Sequence, residues 1–176
     1  YVGNNLSDWG APTVSGLAHG IDQEIHSASL RAGVPTIAFL GTGIFSDYPK
    51  NAQRMRAAIV NNGGAIVTEY LVNESYSARN FVFRNRLQAA LCRVLIPVEW
   101  NAKSGTAHTV RFAAALRRPI ALARLPHHRQ LDWVPQDLNN KWTGFTLPRQ
   151  QREFSAFVSS ALVTNINTQL PLFRTQ

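Results

Sequence analysis

Short apolar stretches alternate along this chain with longer segments of helical periodicity. The apolar stretches lie within PTVSG, PTIAFLG, AIVTEY, RVLIPVEW and PIALARL. Between them, QEIHSASLRAG and PKNAQRMRAAIVNNGG repeat apolar residues at helical spacing and end at Gly33 and at Gly63 and Gly64. Strands that are apolar throughout and alternate with helices form parallel sheets covered by helices on both faces. The sequence therefore predicts an α/β fold with a doubly wound, mainly parallel sheet.

The two ends of the chain depart from this alternation. YVGNNLSDWG resembles a strand and a turn, but Ala11 and Pro12 are too few residues for a crossover to a parallel strand, which needs about a dozen. Two explanations are open. Either a helix is missing from the sequence at this point, which would agree with an incomplete N-terminus, or this decapeptide does not join the sheet in the usual way. We expect three parts: a doubly wound α/β domain over residues 1–126, an extension over 127–164 that ends in an amphipathic helix, and a tail over 165–176.

Composition narrows the class of ligand. The formal net charge is +8, and among 18 basic residues the only lysines are Lys50, Lys103 and Lys141. Arginine presents a planar fork that grips phosphates and stacks on bases, so this bias favours nucleic acid. A basic surface kept for solubility would carry the same charge.

Several classes of protein are disfavoured by the sequence. Cys92 is a lone cysteine, so no internal disulfide is expected, and His127 and His128 have no third ligand at metal-binding spacing. No apolar run approaches the length of a membrane span, and no signal peptide is visible. We therefore expect a cytoplasmic protein without a metal, a cofactor or a membrane segment.

Polar and glycine-rich loops follow the predicted strands. In doubly wound sheets, ligands bind outside the carboxyl ends of the strands. The loops 15–22, 41–51, 69–86 and 99–106 all lie at such ends, so we expect them to converge on one rim.

The stretch FVFRNR, residues 81–86, is the strongest candidate for binding an anion. Read as a loop that enters a helix, it presents free backbone N–H groups beside Arg84 and Arg86. Guanidinium groups at a helix start oppose the macrodipole, and a bound phosphate would resolve that conflict. Phe81 or Phe83 could stack on a base, although either ring alone is equally explained as core.

Two further turns have the composition of a phosphate site. Ser15, Gly16 and Gly20 allow a ligand to approach the backbone closely, and we expect Asp22 and His26, four residues apart on one helix face, to pair and order this loop. Lys103, Ser104 and Gly105 stand at a predicted helix start and suit a phosphate, while Ser104 would serve equally as a helix N-cap.

Taken in order, VSGLAHGID, TIAFLGTGIFSDYPKN, GGAIVTEY, FVFRNR, VEWNAKSGTAHT and ALRRPIALARLP resemble the DNA-processing protein A (DprA, or Smf) family over about residues 12–125. This resemblance implies an extended Rossmann fold that binds single-stranded DNA without sequence preference, passes it to a RecA-type recombinase and self-associates, with no catalytic residue. It implies that DNA or phosphate is bound by Arg84, Asn85, Arg86, Lys50, Phe81, Gly16, Gly43, Ser104 and Gly105. From their residue type and position alone, we expect Lys103 and Phe83 to join them. The resemblance also implies that Asp22, His26, Glu69 and Glu99 order the loops.

Departures from the family pattern leave alternatives open. Asn5 stands in place of the arginine that ends the family's V-G-[ST]-R, Val82 in place of its proline and Thr68 in place of the serine before Glu69. A phosphate site on this rim would also suit a module that senses a nucleotide derivative. A LOG-type phosphoribohydrolase is disfavoured, because Thr109 occupies the position of its glutamate.

The tail contains QLPLF, which resembles the short peptide by which bacterial proteins dock on the replicative sliding clamp. Gln169 would form hydrogen bonds while Leu170, Leu172 and Phe173 contact an apolar pocket. The same residues could instead pack on the domain's own surface.

Overall fold

The computed structural model describes residues 1–98, 100–126 and 142–164. The described residues form a 3₁₀-helix at Gly3–Asn5, five strands and six α-helices. The strands are β1 (Thr13–Ser15), β2 (Thr36–Phe39), β3 (Ala65–Val67), β4 (Ile120–Arg124) and β5 (Trp142–Thr146). The helices are α1 (Leu6–Trp9), α2 (Ile21–Arg31), α3 (Gln53–Asn61), α4 (Ala78–Leu91), α5 (Gly105–Ala115) and α6 (Gln151–Val163).

Every strand pair among the described residues is parallel. One sheet has the order β1-β2-β3, with Val14 opposite Ile37 and Ala38 opposite Ile66, and a second sheet pairs β4 with β5. Helices α2 and α3 contact each other and the first sheet, while α4 lies on β1 and β2 and packs along α5. This is the predicted alternation of parallel strands and covering helices.

Two segments that the sequence predicts to be strands do not form strands. Residues 1–9, expected to be a strand and a turn, form the 3₁₀-helix and α1, which ends at Gly10 in the left-handed conformation with φ 58°. The segment 93–98 contributes a single parallel bridge, between Leu95 and Ile120. Pro97 has no N–H to offer a neighbouring strand, which explains why the pairing stops there. Conversely, β5 lies in a region where the sequence has no clear periodicity.

The final helix is part of the core. Phe154, Val158 and Ala161 are buried on the predicted apolar face of α6, and Phe154 and Val158 pack in one cluster with Phe145 of β5. The ring of Trp9 lies 5.9 Å from that of Phe154, and its Nε1 donates to Ser155 Oγ at 3.1 Å. The N-terminal helix is therefore joined to the last one. None of the described helices is long and apolar enough to cross a bilayer.

Candidate functional site

The loops at the carboxyl ends of β1, β2 and β3 and the loop before α5 meet at one edge of the molecule. We call residues 15–20, 40–51, 68–77 and 101–105 the rim loops. Gly43 N donates to Glu74 O at 2.8 Å, Phe45 N donates to Val72 O at 2.9 Å, and Thr68 Oγ1 donates to Thr42 O at 2.6 Å. A Cβ atom at Gly43 would overlap the backbone of residues 71–74, so only glycine permits this approach. The second and third rim loops therefore form one unit.

Helix α4 links the remaining loops. Asn85 Nδ2 donates to Gly105 O at 3.1 Å, which fixes α4 against the turn that opens α5. On the same side of α4, Arg84 Nη1 donates to Gly16 O at 2.6 Å and also to Phe39 O. One turn of helix thus contacts the loop after β1, the end of β2 and the start of α5, which is the predicted convergence on one rim.

Arg84 lies beneath the surface and not on it. Its side chain is 4% exposed, and a Cβ atom at Gly16 would overlap its guanidinium. Burial lowers the pKa of Arg84, and the Asp22 carboxylate opposes that shift. In this position the guanidinium supports the Gly16 turn from below instead of facing a ligand, which differs from the exposed phosphate contact expected from the sequence.

The start of α4 also differs from the sequence-based expectation. The helix begins at Ala78, where the Ser77 hydroxyl accepts a hydrogen bond from Asn80 N at 3.0 Å. Arg84 and Arg86 consequently lie in the second and third turns, where every N–H has a partner within the helix. The expected conflict between their charge and the helix dipole does not arise, and the free N–H groups expected at 81–86 are absent.

Arg86 is partly exposed at the rim. Its Nη2 lies 2.5 Å from Glu69 Oε2, with 40% of the arginine side chain and 33% of the glutamate side chain accessible. Next to Glu69, the Tyr70 hydroxyl donates to Asn80 O at 3.0 Å, and burial together with Glu69 raises the pKa of Tyr70. Glu69 therefore connects the loop after β3 to α4.

The two lysines predicted to bind phosphate are exposed on rim loops. Lys50 lies in the loop after β2, and Lys103 lies in the turn before α5. Within the described part of the chain neither forms an ion pair. Ser104 occupies the N-cap position of α5, as one of the two interpretations predicted, but its Oγ donates to Asn101 O at 2.8 Å and makes no capping bond to the helix. Gly105 is exposed, with open space where a side chain would project.

The loop after β1 is ordered by Asp22, which accepts from Ser15 Oγ at 2.8 Å and from Ala18 N at 3.1 Å. The hydrogen bond described for His26 is not to Asp22: its Nδ1 lies 2.7 Å from Thr36 Oγ1. Burial lowers the pKa of His26 to about 4, Asp22 opposes the shift and Arg84 adds to it. Asp22 and His26 therefore do not form the expected hydrogen-bonded pair: Asp22 orders the loop after β1, and His26 contacts Thr36 of β2.

Three aromatic rings form a column between two rim loops and α4. Tyr48 stacks on Tyr76 with centroids 4.8 Å apart and is tilted against Phe81 at 5.0 Å. Phe81 fills the space left by Gly41, where a Cβ atom would overlap its ring. Tyr76 is 60% exposed at the outer end of the column. Phe83 is not part of the column: its ring lies beside Arg79 and Arg86 and is 50% exposed.

Arg56 is a site residue that the sequence analysis missed. It is buried on α3 and donates to Ile44 O and Ser46 O at 3.0 Å each and to Tyr48 O at 2.7 Å. The guanidinium therefore shapes the loop that carries Lys50. A signal existed in the sequence, because Arg56 shares a helix face with Ala52 and Ile59, both buried.

Two sets of predicted residues lie outside the described residues: Glu99, and the tail residues Gln169, Leu170, Leu172 and Phe173. Among the residues described, no three His, Cys, Asp or Glu side chains are grouped as metal ligands. Thr109, at the position of the hydrolase glutamate, is buried.

Comparisons with known proteins relate this arrangement to one family. Residues 1–144 match the model of the family described as DNA recombination-mediator protein A. DNA processing protein DprA of Streptococcus pneumoniae is 42% identical over 107 residues, 61% of this chain and 38% of that protein. Protein Smf of Escherichia coli is 35% identical over 115 residues, 65% of this chain and 31% of that protein. The chain thus spans well under half the length of these relatives.

Solved structures agree with the sequence comparisons. An X-ray structure of DNA processing protein A from Streptococcus pneumoniae matches with a TM-score of 0.63 and 32% identity, over 74% of this chain and 46% of that one. A second match is the structure of DNA processing protein A from Helicobacter pylori, which describes how that protein binds single-stranded DNA. Its TM-score is 0.70 and its identity 25%, over 90% of this chain and 71% of that one. These likenesses confirm the Rossmann-like α/β architecture. The chain belongs to the DNA recombination-mediator protein A family.

Proposed function

We propose that the rim loops bind single-stranded DNA and that the chain acts as a recombination mediator. The observation that carries this proposal is the meeting of the four rim loops around α4, with Lys50, Arg86 and Lys103 partly or fully exposed among them. We call this surface the cradle. The solved relative from Helicobacter pylori, which binds single-stranded DNA, has the same fold and supports the proposal. No catalytic step is proposed.

Within the cradle, the exposed cations and the buried arginines have different roles. Lys50, Lys103 and Arg86 would contact phosphates, since a phosphate can displace Glu69 from Arg86. Arg84 and Arg56 would act indirectly, because they hold the backbone carbonyls of two rim loops in place. Gly105, with open space where a side chain would project, would let the strand approach the backbone, whereas Gly16 and Gly43 make room for the Arg84 guanidinium and for the backbone of residues 71–74 and so shape the cradle from within.

The test is the salt dependence of binding to oligo-dT. For single strands, the logarithm of affinity falls with the logarithm of salt concentration with a slope of about −0.7 per phosphate contact. Lys50→Gln and Lys103→Gln should each weaken binding and reduce the slope by about 0.7. Arg31→Gln is the matched control, because Arg31 is exposed in the last turn of α2, which runs away from the rim.

A nucleotide-sensing module is the competing function. It would bind a mononucleotide derivative tightly, and its affinity for oligonucleotides would not depend on their length. A titration with oligo-dT of increasing length beside a nucleotide panel separates the two, since a strand-binding cradle gains affinity until its site is filled. Affinity for oligo-dT unaffected by both lysine variants would contradict the cradle assignment.

Three partner interactions extend this proposal. The bound strand would be passed to a RecA-type recombinase, the chain would self-associate, and QLPLF would bind a sliding clamp. A peptide of residues 165–176 should bind the purified clamp with its Leu172 and Phe173 intact and lose binding when both are alanine.

A further inference from the structure

Helix α4 has an inverted distribution of side chains. Arg84 and Asn85 are buried on its inner face, at 4% and 7% exposure, while Phe83 is 50% exposed on its outer face. A helix that packs on a sheet ordinarily buries apolar residues and exposes charged ones. Because the inner face is accounted for by the rim loops, the exposed ring on the outer face requires a separate explanation.

Phe83 lies between two arginines of the same face. The guanidinium carbon of Arg79 is 5.7 Å from the centroid of the ring, and that of Arg86 is 5.8 Å from it. These residues are four before and three after Phe83, which places all three side chains in one row along the helix. Arg79 is exposed and forms no ion pair with any of the described residues. An accessible ring between two cations is the arrangement that fits stacked bases and their phosphates.

We propose that this row, Arg79, Phe83 and Arg86, is an outer track on which a single strand continues beyond the cradle. The inference rests on the proposed function and extends it. Arg86 contacts Glu69 on a rim loop and Phe83 on the outer face, so it stands at the border between cradle and track. A base would stack near Phe83, and Arg79 would contact a phosphate farther along the strand. The occupant is single-stranded nucleic acid and not protein, because two of the three side chains are cations in a chain of net charge +8.

The experiment compares a short and a long strand on the same variants. Arg79→Gln and Phe83→Leu are titrated with labelled dT6 and dT20, with Arg31→Gln as the charge-matched control. The short strand fills the cradle alone, so its affinity should change less than twofold. The long strand should lose roughly five- to a hundredfold on Phe83→Leu, as the loss of a stacked base does. On Arg79→Gln its log–log salt slope should fall by about 0.7.

Any of the following results would contradict the proposed outer track. If dT20 binds both variants as it binds the unaltered chain, the outer face makes no contact with the strand. Equal losses on dT6 and dT20 would place the two side chains inside the cradle. A change in sedimentation of Phe83→Leu toward a smaller species would make this face a protein interface. Binding of neither oligonucleotide by the unaltered chain would remove the proposed function and the track together, which distinguishes that failure from the others.

Discussion

Among the described residues, two arginines are buried and donate to backbone carbonyls of the rim. Arg56 serves the loop after β2, and Arg84 serves the turn after β1 and the end of β2. A guanidinium can satisfy several carbonyls from one position because its donors form a planar fork. These side chains therefore connect the fold to the site: the positions of Gly16 and of the loop before Lys50 depend on them.

Replacing Arg84 by lysine should destabilise the protein. An ammonium keeps the charge but cannot reproduce the fork, so Gly16 O or Phe39 O would lose its donor, at a cost of about 1–3 kcal/mol. Urea unfolding followed by circular dichroism should show the lower free energy of unfolding. Arg79→Lys on the same helix is the exposed control and should stay within about 0.5 kcal/mol of the unaltered protein. Equal stability of the two variants would show that the Arg84 contacts are not structural.

His26 makes the stability depend on pH. Its Nε2 is buried without a partner in the described structure, and the pKa of the ring is lowered to about 4 from an ordinary 6.5. Between these values the unfolded chain binds a proton that the folded protein does not. Stability from this group is therefore complete above about pH 6.5 and is lost as the pH falls toward 4, by up to about 3 kcal/mol.

Comparison with a variant that cannot titrate isolates this effect from the carboxylates that protonate in the same range. His26→Asn keeps a polar atom near the Nδ1 position that contacts Thr36. The free energy of unfolding, measured in urea at several pH values, should fall more steeply with acidification for the unaltered protein than for the variant. Parallel curves for the two proteins would exclude a buried neutral His26.

At the scale of elements, local patterns predict most of the structure. β1 to β4 and helices α2, α3, α5 and α6 lie where apolar runs and helical periodicity predict them, because their signals are contained in a few neighbouring residues. β5 is different. It pairs in parallel with β4, and Gly144 within it weakens the strand pattern, so its formation depends on a partner distant in sequence.

The location of the site could be predicted from the sequence, but the directions of its arginine side chains could not. Strand ends in a parallel sheet share an edge, so the convergence of the rim loops follows from the order of elements. The direction of each arginine does not. FVFRNR has apolar and cationic residues on both faces of α4, and the decisive factor is the space that Gly16 leaves for the Arg84 guanidinium. That space is a tertiary contact between residues far apart in the sequence.

At the scale of the whole molecule, we propose that residues 142–164 fold together with residues 1–126 and not as a separate extension. Phe154 of α6 is fully buried, with its ring centroid 5.9 Å from that of Trp9 and 5.5 Å from that of Phe145. It therefore joins the N-terminal helix, the second sheet and the last helix into one cluster.

Phe154→Ala should consequently destabilise the entire chain, by about 3–5 kcal/mol, since the loss of a large buried ring leaves a cavity. Val163→Ala on the same helix is the control, because Val163 is 81% exposed and its truncation should change stability by less than about 0.5 kcal/mol. Urea unfolding is followed both by circular dichroism and by tryptophan fluorescence, which includes Trp9 next to the mutated ring. One folding unit requires the two signals to shift together to lower urea. A fluorescence transition that moves while the helical signal keeps its midpoint would mean that α6 folds independently of the strands that carry the cradle.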